Sequence, residues 1–323
     1  MTEKTNADPF LGELSARDIQ VANRVFLGRG ATEAEVARKL KNHQTLAQLR
    51  RTYWAAPAFQ AMVQEIAPSN CGGKRAVSLK EAETLIHLHV PKTAGSSLSA
   101  MLSRDVARED KLAFSENEKN ILLKRPPEQR ASLKLIHGHL NHGIDELLSQ
   151  QCHYLTVLRK PKDRILSLYR YSKRQKTHPL YNMLNTRDMS FGQYLEFCSE
   201  NPYRVVDTDN GQVRRIASTR AAPGDRHVLP QLFSEALSNI FAPNMTFGLT
   251  EHFADFAKRL HAKGIIASSV EKRENVAPSR ASISSVLDDL SMRQRDILEE
   301  FTLWDQRFYD ICEKVYFLTD PAS

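Results

Sequence analysis

Short apolar runs alternate with amphipathic segments from residue 84 to residue 316. Four apolar runs that end near turn residues predict strands, at 84–90, 133–139, 154–159 and 245–250. Apolar positions at helical spacing predict helices at 161–175, 190–198, 251–262 and 292–316. Strands that alternate with helices favour an α/β fold with a largely parallel sheet flanked by helices.

The first 70 residues show a different pattern, in which only helical spacing recurs. A helix is predicted from about residue 16 until Gly28 and Gly30 interrupt it. Thr32 followed by Glu35 three residues later is a capping-box signal for a second helix. A third helix is predicted up to about Pro57.

The stretch after these helices is small, polar and contains glycine, which is typical of a linker. We therefore predict three parts: an all-helical N-terminal module (1–70), a linker (71–83) and an α/β domain (84–323). A plain helical adaptor is our interpretation of the module.

Composition narrows the class of protein only slightly. Lys and Arg outnumber Asp and Glu by 45 to 38, and the net charge is +7. This excess suits an anionic ligand but also occurs in proteins that bind none. The basic residues lie on no recognisable nucleic-acid module, and the four scattered cysteines indicate neither a zinc site nor a disulfide framework. With no long apolar stretch, we expect no membrane span and a cytoplasmic location.

The segment LIHLHVPKTAGSSLSAML (85–102) joins a predicted strand to a helix-like pattern through a loop of small residues. A loop of this kind directs backbone N–H groups and the positive end of a helix dipole at an anion. The order of residues differs from that of the ATP-binding loop, because Lys92 precedes Gly95 instead of following a glycine directly. A simple strand–helix turn with an incidental lysine remains open at this point.

A second segment, YLTVLRKPKDRILSLYRYSK, places Arg159 at the end of a predicted strand, just before a helix that starts near Pro161. Eight cations and a single acid occupy 159–176, which by itself is typical of a solvated basic helix face. Ligands of α/β proteins, however, bind outside the carboxyl ends of strands. Two such strand ends suited to phosphate indicate a ligand with two separated phosphate groups.

These two segments resemble the nucleotide motifs of sulfotransferases that use 3′-phosphoadenosine 5′-phosphosulfate (PAPS). HLHVPKTAGSSL is similar to their 5′-phosphosulfate loop, and TVLRKPKDRILSLYRY to their 3′-phosphate motif. The most similar branch is the heparan sulfate 2-O-sulfotransferase type with its bacterial relatives, and the resemblance runs from Thr84 to Val315. Lys160 departs from it, because an acidic or amide residue is common there. The N-terminal stretch resembles helical modules found beside bacterial glycan-modifying domains.

The resemblance implies a P-loop-like fold, PAPS as donor and 3′-phosphoadenosine 5′-phosphate (PAP) as product, with no metal required. It implies that the 5′-phosphosulfate is held by Lys92, Thr93, Ala94, Gly95, Ser96, Ser97 and Leu98. Arg159 and Ser167 would bind the 3′-phosphate. Arg273, Asn275 and Ser279 would belong to a loop that closes over the nucleotide, although a solvated loop is an equal alternative.

The segment LKLIHGHLNH supplies three histidines around Gly138, and an acceptor hydroxyl needs a general base of near-neutral pKa. In the resembling branch the second histidine of H-G-H is the base. We therefore expect His139 to be the base and His137 to support it, with Lys92 neutralising the leaving group. Metal binding by His137, His139 and His142 is the competing hypothesis, although no carboxylates lie near them in sequence.

The acceptor is less defined by the sequence. Arg214 and Arg215 lie in a polar, cationic stretch that would line an open cleft and bind an anionic saccharide, unless they are simply solvated. The resemblance implies a carbohydrate or a small hydroxylated metabolite. An ATP-dependent kinase and a non-catalytic nucleotide- or glycan-binding protein are the alternatives, and the oligomeric state is left open.

Overall fold

A computed structural model describes residues 30–43, 82–114, 118–204, 207–219, 221–269 and 283–318, together with the isolated positions 15, 16, 19, 20, 23 and 52. The chain divides into two compact units, Met1–Asn70 and Cys71–Ser323. In the first unit, helix α1 spans Glu33–Asn42. Its capping box is confirmed, because the Thr32 hydroxyl accepts from the Glu35 N–H and the Glu35 carboxylate accepts from the Thr32 N–H. The predicted third helix and nearly all of the predicted linker lie outside the described residues.

The second unit is built on a five-stranded parallel sheet, which confirms the predicted α/β fold. The strands are β1 (Thr84–Leu88), β2 (Lys111–Phe114), β3 (Leu135–Gly138), β4 (Cys152–Leu158) and β5 (Met245–Leu249). Their order in the sheet is β2-β3-β1-β4-β5. Strand β2 was not predicted, because it is a four-residue edge strand with one solvent-exposed position and gives almost no periodic signal.

Eleven described helices accompany the sheet. They are α2 (Gly95–Ser103), α3 (Glu118–Leu123), α4 (Pro127–Ala131), α5 (Pro161–Arg174), α6 (Tyr181–Thr186), α7 (Phe191–Glu200), α8 (Gly211–Ile216), α9 (Leu229–Ile240), α10 (Phe253–Ala262), α11 (Ile283–Asp288) and α12 (Met292–Leu318). The four predicted helices of this unit are confirmed as α5, α7, α10 and α12, each within two residues at either end. Of the helices that the structure describes, none has the length and apolar character needed to cross a bilayer.

The sheet is covered by helices on both faces. Helices α2 and α10 bury Leu98 and Phe256 against Leu155 and Val157 of β4. Helices α8, α9 and α12 cover the opposite face, where Tyr154 and Leu158 of the same strand lie. Strand β4 is therefore buried on both sides, which explains why its sequence is a nearly continuous apolar run.

The strand order creates a switch point between β1 and β4. From β1 the chain crosses to β2 over the face that α2 covers, whereas the long connection from β4 to β5 packs α8 and α9 on the other face. Leu88 at the end of β1 lies beside Thr156 of β4. The loop after β1 and the residues after β4 therefore border the same crevice, which is where open parallel sheets bind ligands.

Candidate active site

The loop between β1 and α2 has an unusual backbone conformation. Lys92 and Ala94 both adopt left-handed backbone angles, with φ of 70° and 64°. Such angles are uncommon for residues other than glycine and cost free energy, so they persist where the surroundings impose them. Left-handed residues at a turn are typical of backbone nests, in which successive N–H groups converge on an anion. Ala94 is also the N-cap of α2, so the positive end of that helix points to the same place.

Gly95 is required by a neighbouring histidine. A side-chain carbon at position 95 would lie 1.9 Å from Cδ2 of His89, which is far inside the closest allowed contact. The His89 ring therefore rests directly on the backbone of the loop. This contact connects the loop between β1 and α2 to the histidines at the ends of β1 and β3.

The other predicted loop residues have different environments. The Thr93 hydroxyl is buried and donates to the Val90 carbonyl at 2.8 Å, so its proton is used inside the loop. The Leu98 side chain is fully buried in the core and leaves only its backbone near the loop. Ser96 is exposed and Ser97 is half-buried at the start of α2.

Lys92 points toward α5, the helix after β4. Its Nζ lies 4.0 Å from the centre of the Tyr171 ring, which is cation–π distance. Ser167 precedes Tyr171 by four residues in α5 and is half-buried, so the two side chains share one helix face. Lys92 therefore lies next to the face of α5 that carries Ser167.

Arg159 connects the two predicted phosphate-binding segments. One guanidinium nitrogen donates to the Lys92 carbonyl at 3.1 Å, across 67 residues of sequence. Burial lowers the pKa of Arg159, and the nearby carboxylates of Asp163 and Glu251 oppose that change. The two segments that were separate in the sequence are therefore in contact at the switch point.

His139 is held in one orientation next to this loop. Its Nδ1 lies 3.2 Å from the His89 carbonyl, and its ring centre lies 4.5 Å from that of His89. Because a carbonyl only accepts, Nδ1 carries the proton, and Nε2 of the neutral ring is left as an acceptor. Burial and the charge of Arg215 lower the pKa of His139, against the raising effects of the His89 carbonyl and Asp207. The lowered pKa favours the neutral ring of His139, in which Nε2 is the acceptor.

The other histidines of this region differ in their surroundings. His87 is buried, bonds the Ser99 hydroxyl at 2.9 Å, and has its pKa lowered to about 3, chiefly by burial. His142 stacks on Tyr154, and burial lowers its pKa to about 4. His137 lies opposite His87 in the paired strands and is half-buried.

Gly138 separates His137 from His139 for a steric reason. Its φ is +141°, and a side chain there would lie 2.1 Å from the backbone oxygen of Phe114 on β2. The glycine of the H-G-H segment is thus fixed by the neighbouring strand.

The two predicted acceptor-binding arginines differ in their surroundings. Arg214 pairs with Asp209 at 2.9 Å and donates to the Asp225 carbonyl, which commits it to holding its own loop. Arg215 pairs with Asp207 at 2.7 Å and is close enough to His139 to lower its pKa. The stretch predicted to line an open cleft contains α8, four of whose six residues are buried. Arg273, Asn275 and Ser279 lie outside the described residues.

Sequence reasoning missed several residues that shape the site. Gln212 contacts the backbone of Arg159, Tyr171 holds Lys92, and Asp207 pairs with Arg215. Gln212 and Asp207 lie in a polar segment without apolar periodicity, so the sequence carried no signal for them. Tyr171 belonged to the basic helix that was recognised, and its i+4 spacing from Ser167 was the available signal. Among the residues described, no group of three or more His, Cys, Asp or Glu side chains is arranged to hold a metal ion.

Fold and site together define a parallel α/β protein with two left-handed residues in the loop at its switch point and a histidine of lowered pKa beside it. Residues 76–290, about two thirds of the chain, match the model of the Sulfotransferase family. The chain therefore belongs to the sulfotransferase family and is an enzyme of that class. This confirms the class expected from the two motifs, whereas the glycan branch remains a prediction.

The solved structures that are similar to this chain include two sulfotransferases. Mouse sulfotransferase SULT7A1 complexed with PAP is 15% identical, with a TM-score of 0.40, and the match covers 72% of this chain and 88% of that one. A sulfotransferase from Alicyclobacillus acidocaldarius is 13% identical, with a TM-score of 0.33, and the match covers 69% and 98% respectively. Likenesses this distant assign no ligand or residue role to the chain. No curated protein matches it significantly.

The contact between His89 and Gly95 gives a direct prediction. Gly95→Ala inserts a methyl group where the His89 ring lies, so either the ring or the loop must move. We expect nucleotide affinity to fall at least tenfold, measured by calorimetry with PAP.

Gly192→Ala is the matched control. Gly192 is also a buried glycine in the first turn of a helix, and an added carbon would lie 2.2 Å from the flexible end of Gln294. That variant should keep its affinity for PAP within about twofold. If both variants lost affinity for PAP equally, the added methyl group would act by destabilising the protein in general, and not through the contact with His89.

Proposed function

We propose that this enzyme transfers a sulfuryl group from PAPS to a hydroxyl of an acceptor, with His139 as the general base. The acceptor class that we propose is a carbohydrate. Membership of the sulfotransferase family supports the reaction type. The observation that carries the rest of the proposal is the contact chain from the anion-binding loop through His89 to His139.

Two elements that suit anions, and that contact each other, support the donor site that we propose. The nest at 92–95 with the start of α2 suits the 5′-phosphosulfate, and Arg159 with Ser167 suits the 3′-phosphate. Arg159 touches the Lys92 carbonyl, so one bound nucleotide is able to reach both elements. The product PAP, which carries phosphates at the 5′ and 3′ positions, has the matching charge pattern.

The tautomer of His139 supports its assignment as the base. With its Nδ1 proton donated to the His89 carbonyl, Nε2 accepts the proton of the acceptor hydroxyl. The hydroxyl oxygen forms a bond to sulfur while the bond from sulfur to the 5′-phosphate oxygen breaks. The proton remains on His139, and the electron pair of the broken bond leaves on PAP.

Charge develops on the phosphate oxygen that leaves, so catalysis depends on positive groups placed before the reaction starts. Lys92 and the loop N–H groups fulfil this role in our proposal. Lys92 rests over the Tyr171 ring. A bound phosphosulfate would compete for its ammonium group.

The proposal of a carbohydrate acceptor is supported by the H-G-H segment, which resembles the glycan branch. Arg215 donates to the carbonyl of Leu140, the residue after His139, so its positive charge lies close to the proposed base. Its pairing with Asp207 keeps the guanidinium in place. Arg214 has no such position, because it is engaged with Asp209.

The donor assignment predicts a preference among nucleotides. PAP should bind without added metal, and at least tenfold more tightly than ATP with magnesium, in calorimetric titrations. Lys92→Ala and Arg159→Ala should each weaken PAP binding by about tenfold or more, because each removes a charge-assisted contact to phosphate. Equal or tighter binding of ATP with magnesium would contradict the assignment and favour the kinase alternative.

Replacement of the base should separate turnover from binding. His139→Ala should lower kcat by a factor of about 10² to 10⁴, the usual contribution of a general base, while PAP affinity stays within about threefold. His142→Ala removes a histidine of the same segment that stacks on Tyr154, and it should retain most of its turnover. A fully active His139→Ala variant would place the base elsewhere.

The pH profile tests the environment of His139. Because its pKa is lowered and only the neutral ring accepts a proton, kcat/KM should be nearly constant from pH 7 to 8 and fall only below pH 6.5. Arg215→Gln removes a charge that lowers this pKa, so the acidic limb should move to higher pH. Arg214→Gln, the same change at the adjacent residue, should leave the limb in place. If the acidic limb of the kcat/KM profile moved equally in the Arg215→Gln and Arg214→Gln variants, Arg215 would not be the cause of the lowered pKa of His139.

A further inference from the structure

The backbone N–H and the backbone carbonyl of Arg159 both bond to a single side chain. The Arg159 N–H donates to Oε1 of Gln212 at 2.9 Å, and Nε2 of Gln212 donates to the Arg159 carbonyl at 2.9 Å. The amide of Gln212 therefore pairs with both polar groups of one residue, as a neighbouring strand would. Gln212 is fully buried, so water does not replace either bond readily.

This pairing occurs just after the last residue of β4 that pairs with a neighbouring strand. Strand β4 pairs with β1 as far as Thr156 and with β5 as far as Leu158. The next N–H and carbonyl, those of Arg159, need other partners. Gln212 supplies both, and it does so at the residue whose guanidinium reaches the phosphate-binding loop.

We propose that Gln212 is a positioning residue for recognition of the 3′-phosphate. It fixes the backbone of Arg159 beyond the end of β4 and thereby sets where the guanidinium lies. This inference rests on the proposed function, in which Arg159 binds the 3′-phosphate of the nucleotide.

Gln212 is itself anchored from a distant part of the chain. It lies in the first turn of α8, and its N–H donates to Oδ2 of Asp305 at 3.1 Å. Oδ1 of Asp305 accepts the next N–H, that of Val213, at 2.9 Å. The Asp305 carboxylate thus caps the start of α8 and satisfies donors that a helix leaves free.

A buried ion pair holds this cap in place. Arg164, on the helix that follows Arg159, lies 3.3 Å from Asp305, and both side chains are fully buried. Burial raises the pKa of the Asp305 carboxyl, and the charge of Arg164 with the two N–H donors opposes that rise. Arg164 also donates to the Asp207 carbonyl at 2.9 Å. The helix that follows Arg159 and the helix that carries Gln212 are therefore joined by this buried ion pair.

Asn210 completes the anchor. It has a left-handed backbone, its N–H donates to the Phe301 carbonyl at 2.8 Å, and its Oδ1 accepts the N–H groups of Trp304 and Asp305. Helix α12, which contains these partners, begins at Met292, beyond the segment that matches the family model. A C-terminal helix outside the matched segment thus supports the proposed nucleotide site.

The test compares the affinity for PAP with that for adenosine 5′-phosphate, which lacks the 3′-phosphate. The dissociation constant of adenosine 5′-phosphate divided by that of PAP measures the contribution of the 3′-phosphate. Gln212→Met keeps the length of the side chain and removes both hydrogen bonds, so the ratio should fall about tenfold. Arg159→Ala should lower the ratio most of the way to one. Adding Gln212→Met to the Arg159→Ala variant should change the ratio little further.

Gln150→Met is the matched control. Gln150 is also a buried glutamine whose amide donates to a backbone carbonyl, that of Arg130, but it lies near the opposite end of β4. The same substitution there should cost comparable thermal stability and leave the ratio within twofold. If Gln212 had a purely structural role, Gln212→Met and Gln150→Met would both lower the melting temperature. Neither variant would then change the ratio.

A second variant covers the case in which Gln212→Met does not fold. Gln212→Asn retains the amide but is one methylene shorter, so it should also lower the ratio. An unchanged ratio in the folded Gln212 variants, while Arg159→Ala reduces it, would overturn the inference and leave the proposed function standing. A wild-type ratio near one would instead contradict the proposed function, and the inference would fall with it.

Discussion

The ring of His89 occupies the space that Gly95 leaves by having no side chain, and the site depends on this contact. The ring rests on the loop whose left-handed residues and helix start suit a phosphate. The ring of His139 packs against it in a tilted arrangement, with ring centres 4.5 Å apart, and His139 donates its Nδ1–H to the His89 carbonyl. One residue thus sets the distance between the proposed donor site and the proposed base. In a reaction that depends on alignment, that distance matters more than the intrinsic strength of the base.

A second constraint acts at the end of β4. The sheet no longer pairs with the chain beyond Leu158, yet the proposed 3′-phosphate ligand, Arg159, is the next residue. The protein resolves this through Gln212, whose helix is capped by the buried Asp305. Removing one partner of a buried ion pair usually costs several kcal/mol, so we regard the Arg164–Asp305 pair as a rigid support for the site. Stability and ligand geometry therefore depend on the same few buried groups.

Sequence patterns predicted the parts of this molecule that rest on periodicity and local turn chemistry. The long helices, four strands and the loop at 92–98 follow from apolar spacing and from small residues at a strand end. Strand β2 was missed because four residues carry too little periodicity. Helix α9 was also missed, although Leu229, Leu232, Ala236 and Ile240 recur at helical spacing and are buried. Contacts such as Gln212 with Arg159 join residues 53 positions apart, and local patterns hold no information about them.

The central claim is that one nucleotide spans the loop after β1 and the start of the chain after β4. A crystal structure of the protein with PAP tests it most directly. Our account predicts the 5′-phosphate on the N–H groups of the loop at 92–98, and the 3′-phosphate in contact with the Arg159 guanidinium and the Ser167 hydroxyl. A nucleotide bound in the reverse direction, or bound away from this crevice, would contradict the account.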